Sequence, residues 1–177
     1  MDDLAIIQRI LNEHQDIRGD LKLIGDSVSD AETLFILEKE RSDWTSAQLG
    51  ALAKKQNKLQ QTLSFLDEGL KNHFTFEEEL LAPLIGEVLM RALTLEHEEI
   101  GKEINEAKSL LAETKLEEFN QEEPLLKEGY LKNAFELLSK ESRIKQAINN
   151  IFILVEKHAA KEAEILEMVR RGLGEER

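Results

Sequence analysis

Residues 59–85 read LQQTLSFLDEGLKNHFTFEEELLAPLI. Leu59, Leu63, Leu66 and Leu70 recur at steps of four and three, the spacing that lines one face of a helix packed in a bundle. Carried forward, the same rhythm lands on His73, Glu77 and Leu80. Two polar residues therefore stand where the seam calls for leucine. Pro83 and Gly86 then punctuate a short connection that ends the helix.

Working outward, the same helix reaches back to about residue 45 through Gln56, Leu52 and Leu49, and three more segments carry the rhythm. Over residues 3–28 it runs Leu4, Ile7, Leu11, His14, Ile17, Leu21, Ile24, Val28. Over residues 86–114 it runs Met90, Leu93, His97, Ile100, Ile104, Ala107, Leu111. Over residues 129–171 it runs Ala134, Leu138, Ile148, Ile151, Val155, His158, Glu162, Ile165, Val169. Thr45 with Gln48 and Ser29 with Glu32 resemble capping boxes, so residues 29–44 read as a shorter extra helix between the first two long ones. Pro124 and Gly129 lie in the longer link before the fourth. These signals predict an all-α chain, one domain spanning residues 1–177, with neither internal repeat nor low-complexity tract.

Composition agrees: Leu, Glu, Lys and Ala are abundant, and only two Pro interrupt 177 residues. The net charge of −13 argues against nucleic acid or an anionic membrane as partner. No apolar run approaches the ~20 residues needed to cross a bilayer. The acidic start, MDDLAIIQRI, lacks a signal-peptide layout, so the cytoplasm is the expected location. With no cysteine, disulfides, thiolate metal sites and cysteine nucleophiles are excluded.

The chain has four histidines, and His14, His73, His97 and His158 each replace an apolar residue in the seam of a different helix. Glu77 and Glu162 each follow a histidine by four residues, one turn along the same face. In an up-down-up-down bundle the four histidines fall roughly 12 to 21 Å from the same end, at 1.5 Å per residue. A single core histidine is ordinarily a satisfied structural residue, and a single seam glutamate a snorkelling one. Six such residues converging on one layer would cost several kcal/mol each if unpartnered. A metal removes that cost, because it takes neutral imidazole nitrogen and anionic oxygen. Six donors are too many for one tetrahedral zinc, and the lack of sulfur disfavours copper(I). Imidazole with carboxylate suits iron or manganese, with two glutamates placed to bridge two ions. The ferritin-like Glu-x-x-His pattern is absent, since Leu11, Leu70, Thr94 and Val155 stand three before each histidine.

The order His, His-x-x-x-Glu, His, His-x-x-x-Glu, carried by LNEHQDIR (11–18), HFTFEEELLAPLI (73–85), LTLEHEEIGKEI (93–104) and VEKHAAKEAEILEMV (155–169), resembles the hemerythrin HHE cation-binding domain family. The likeness covers the chain apart from residues 29–44 and 112–129. It implies an antiparallel four-helix bundle with a non-haem centre of two iron ions, bridged by oxide or hydroxide, with manganese or zinc as alternatives. It further implies that His14 and His73 ligate one iron and His97 and His158 the other, with Glu77 and Glu162 bridging. Glu78 would be an accessory ligand or a solvated surface residue. The family's oxygen carriers have a fifth histidine one turn after the third, where this chain has Gly101. Two histidines per iron leave more open coordination, which resembles the sensing, iron-handling or redox-active members.

The leading functional expectation is a module that binds or senses oxygen, nitric oxide or a related small ligand, read out by a partner protein or a homodimer. The alternatives are an oxidoreductase acting on oxygen, peroxide or nitric oxide, an iron donor, and a metal-free helical interaction protein. Tyr130 lies 28 residues before His158, too far for a tyrosyl-radical role, and Trp44 reads as packing. Ser139 and Ser142 have no seam histidine within reach, and no phosphate-cradling loop is present.

Overall fold

The computed structural model describes residues 2–39, 46–113 and 127–175, with side chains described within 2–26, at 54, and within 57–113 and 142–174. The elements are α1 (Asp3–Lys39), α2 (Ser46–Leu80), the single turn α3 (Ala82–Ile85), α4 (Glu87–Glu113) and α5 (Lys127–Glu175). There is no strand among the described residues. The long helices pack as a ring, α1 on α2, α2 on α4, α4 on α5, and α5 back on α1.

Two apolar clusters fill the ring, and they show the chain direction. One holds Ile6, Ile7 and Ile10 before His14, Leu81 after His73, Met90 and Leu93 before His97, and Ile165 and Leu166 after His158. The other holds Ile17, Leu21 and Ile24 after His14, Leu63, Leu66 and Leu70 before His73, Ile100 and Ile104 after His97, and Ile148, Ile151 and Val155 before His158. Direction therefore alternates from helix to helix, giving an antiparallel all-α bundle with the histidines between the two clusters. Each buried Leu or Ile contributes about 1.5–3 kcal/mol through removal of its surface from water.

The reversal between α2 and α4 depends on local chemistry. Pro83 sits in the first turn of α3, where its missing N–H is not needed. Gly86 has φ +83° and ψ 156°, and its N–H donates to Ala82 O at 3.0 Å. That backbone region is open essentially to glycine alone. The Gly86 carbonyl in turn accepts the Met90 N–H at 3.1 Å, starting α4.

Three expectations need correction. Residues 29–39 do not form a separate short helix but continue α1, so Ser29 and Glu32 lie within a helix and mark no start. Residues 40–45, with Thr45 and Trp44, lie outside the described residues. Leu4 is not a seam residue: it is partly exposed, and Ile6, Ile7 and Ile10 take the packing. Gly129 falls within α5 rather than in the link before it, while Pro124 lies outside the described residues.

Candidate metal centre

His73 and Glu77 lie one turn apart on α2, and His158 and Glu162 one turn apart on α5, so each pair projects from one face. His14 on α1 and His97 on α4 complete the layer. All six are buried, with both glutamates 0 % exposed. The imidazole rings form one layer, with centroids 4.9 Å apart for His14 and His73 and 4.8 Å for His97 and His158.

The carboxylates stand between the rings. Glu77 Oε1 is 2.6 Å from His73 Nε2 and 3.6 Å from His14 Nε2. Its Oε2 is 3.2 Å from His97 Nε2 and 3.8 Å from His158 Nε2. One oxygen thus faces each histidine pair. Glu162 Oε2 is 2.9 Å from His14 Nε2 and 3.7 Å from His158 Nε2. Candidate donors fall into two sets sharing Glu77: His14, His73, Glu77 and Glu162, and Glu77, His97 and His158.

The outer ring nitrogens decide what the inner ones can do. His73 Nδ1 is 2.8 Å from Glu13 Oε2, His97 Nδ1 is 2.8 Å from Glu78 Oε1, and His158 Nδ1 is 3.2 Å from Glu96 Oε2. A carboxylate only accepts, so each of these Nδ1 atoms carries a proton and donates it. In a neutral imidazole that leaves the Nε2 lone pair aimed inward. Despite the short separations, none of the four Nε2 atoms and neither oxygen of Glu77 or Glu162 makes an aligned hydrogen bond. With neutral rings the centre is a group of electron pairs pointing at one another, buried and unsatisfied. That donor set is what divalent cations require and what apolar packing cannot compensate.

Protons are the cations available when no metal is bound. Burial works against a charged His14, but the Glu162 and Glu77 carboxylates beside its Nε2 outweigh it and push its pKa up to about 9. His158 is raised in the same way, burial again opposing and Glu77 dominating the gain. Burial raises Glu162, with Glu77 adding to it, whereas contact with the histidines overcomes burial and holds Glu77 well below the carboxylate range. A raised folded pKa for His14 stabilises the cation-free fold fully below its ordinary value of 6.5, and that contribution is lost as pH rises through about 9. Chelator-treated protein should therefore show a falling urea midpoint between those two pH values. A midpoint that stays flat or rises across that window would contradict this electrostatic picture.

The structure brings all six sequence-predicted side chains together. Glu78 does not converge with them; it reaches His97 from the outside and is 40 % exposed. Gly101, one turn after His97, is half-buried, and a Cβ there would meet nothing within 4 Å. Ser142 is exposed, while the side chains of Tyr130 and Ser139 lie outside those described. Sequence reasoning missed Glu13 and Glu96, and also Phe74, whose ring stacks on His97 at 3.9 Å and 5°. It missed Asp67 too, buried beside the main core and held by Lys108 at 2.7 Å and Lys71 at 2.9 Å. Burial opposes the Asp67 charge, but those two ammonium groups keep its pKa lowered.

Comparison with known proteins bears on this layer directly. No curated protein and no solved structure matches the chain. A family model described as the hemerythrin HHE cation-binding domain matches residues 5–132, which include His14, His73, Glu77 and His97. His158 and Glu162 lie beyond the matched residues and join the cluster through the packing of α5. No described helix is long and apolar enough to cross a membrane. With its buried histidine and glutamate cluster fitting a metal-binding protein, the chain belongs to the hemerythrin HHE cation-binding domain family.

Proposed function

We propose that this chain acts as one domain that holds two iron ions, His14 and His73 at one, His97 and His158 at the other, with Glu77 and Glu162 between them. The observation carrying this reading is the donor layer whose lone pairs have no hydrogen-bond partner and whose Glu77 oxygens face one histidine pair each. Manganese or zinc would meet the same donors. Bound iron would supply Lewis-acid and one-electron redox chemistry to a small ligand.

The chain's own residues do the rest. The two apolar clusters flank the layer and Phe74 stacks on His97, surroundings that would shield bound ions from bulk water and favour a small apolar ligand over a polar one. With Gly101 supplying no side chain, each ion would have two histidines and would retain open positions. We take binding or sensing of oxygen, nitric oxide or a related small ligand as the function, read out by a partner protein or a second copy. The test is anaerobic ferrous loading followed by titration with nitric oxide or oxygen. The expected result is a stoichiometric change in absorption that reverses when the ligand is removed. Many turnovers of oxygen or peroxide per chain would instead make it an oxidoreductase. Rapid loss of iron to a ferrous chelator would make it an iron donor.

A further inference from the structure

The three carboxylates outside the layer follow one geometrical rule. Glu13 stands next to His14 on α1 and serves His73 on α2. Glu78 stands next to Glu77 on α2 and serves His97 on α4. Glu96 stands next to His97 on α4 and serves His158 on α5. Neighbouring residues are about 100° apart around a helix, so when one points into the core, the next points at the adjoining helix. Helices α1, α2 and α4 thereby each hold the histidine of the next long helix around the ring. Two of the three carboxylates are themselves held. Arg9 donates to Glu13 at 2.7 Å while its guanidinium lies 3.7 Å over the Phe76 ring, and Lys161 pairs with Glu96.

The fourth step is missing. The residues flanking His158 and Glu162 on α5 are Lys157, Ala159, Lys161 and Ala163, none of them an acceptor. Among the described residues, no carboxylate meets His14 Nδ1. His14 is thus the one histidine whose ring orientation and tautomer are not set from outside.

We propose that Glu13, Glu78 and Glu96 are positioning residues that fix the tautomer and orientation of the metal-binding histidines, and that the missing fourth acceptor makes the ion position bordered by His14 the more readily emptied. An ion held by His97 and His158 has both ligands fixed; one held by His14 and His73 has only one. Partners of this kind typically change metal affinity 10–100-fold. The inference rests on the metal reading above, but part of its test does not.

The probe is Zn2+, which is diamagnetic and meets the same donors, titrated into the full-length, chelator-stripped protein. Wild type should take up zinc in two unequal steps. Glu13→Ala should weaken the weaker step about 10–100-fold, and Glu96→Ala the tighter step by a similar factor. Glu13→Gln, which keeps an acceptor oxygen, should restore most of the loss. Independently of any metal, 15N spectra of the stripped protein at alkaline pH should show His73, His97 and His158 as Nδ1–H tautomers and His14, whose Nε2 alone faces a carboxylate, as the Nε2–H form. Glu13→Ala should release His73 alone. Equal zinc steps in wild type would overturn the asymmetry, and unchanged zinc affinity and 15N spectra in both alanine variants would overturn the positioning role. If an alanine variant fails to fold, the wild-type tautomers and the glutamine variant decide. Failure of wild type to bind zinc or iron, with the tautomers still fixed, would sink the metal reading and leave the clamps standing.

Discussion

Glu77→Ala is expected to lower bound iron from about two ions per chain to well under one, an affinity loss of at least about 100-fold, or about 2.7 kcal/mol. The size of the effect follows from position. Glu77 presents Oε1 to His14 and His73 and Oε2 to His97 and His158, so its loss removes an anionic donor from both pairs at once. Glu162 meets His14 and His158 through one oxygen only. Glu162→Ala should therefore lose less metal than Glu77→Ala. Elemental analysis of the two variants, loaded anaerobically side by side, checks the ranking. Equal retention in Glu77→Ala and wild type would remove Glu77 from the site.

The second large effect concerns stability without metal. Replacing the layer by apolar residues of similar size (His14→Leu, His73→Leu, Glu77→Met, His97→Leu, His158→Leu and Glu162→Met together) should stabilise the fold relative to chelated wild type. Buried ionic groups exchanged for packed apolar ones commonly gain 1–4 kcal/mol, about 2–4 °C in Tm per kcal/mol at this chain length. Here the gain includes the unsatisfied Nε2 and carboxylate atoms and is reduced by loss of the Phe74–His97 stacking. The same variant should show no rise in Tm on adding ferrous iron, whereas wild type should rise with metal concentration. A sixfold variant less stable than chelated wild type would mean that the polar layer holds the bundle together by itself.

Much of this was legible in the sequence because the seams are long. A 3-4 rhythm sustained along each of four segments leaves little freedom in register, and a polar residue in such a seam is conspicuous. That is why His14, His73, Glu77, His97, His158 and Glu162 could be named, and why their common height followed from counting residues. Boundaries were less legible. The Ser29–Glu32 pair looks like a helix start, yet no Gly or Pro interrupts residues 29–39, so nothing stops α1 from running through it.

The outer residues were hidden for another reason. Glu13 and Glu96 sit at the edge of the seam, each next to a histidine, and read as solvated surface. Only the neighbouring helix turns them into hydrogen-bond acceptors. A signal was present in the form of a glutamate adjoining His14, Glu77 and His97, but it acquires meaning once the ring order of the helices is known. Asp67, between Leu66 and Glu68, likewise reads as surface until Lys108 from α4 covers it.

The most direct test is the metal content of the protein purified without chelator and, if low, after anaerobic addition of ferrous iron. Two iron atoms per chain are expected. No bound metal under either condition would contradict the central claim and leave protons as the only cations in the buried layer.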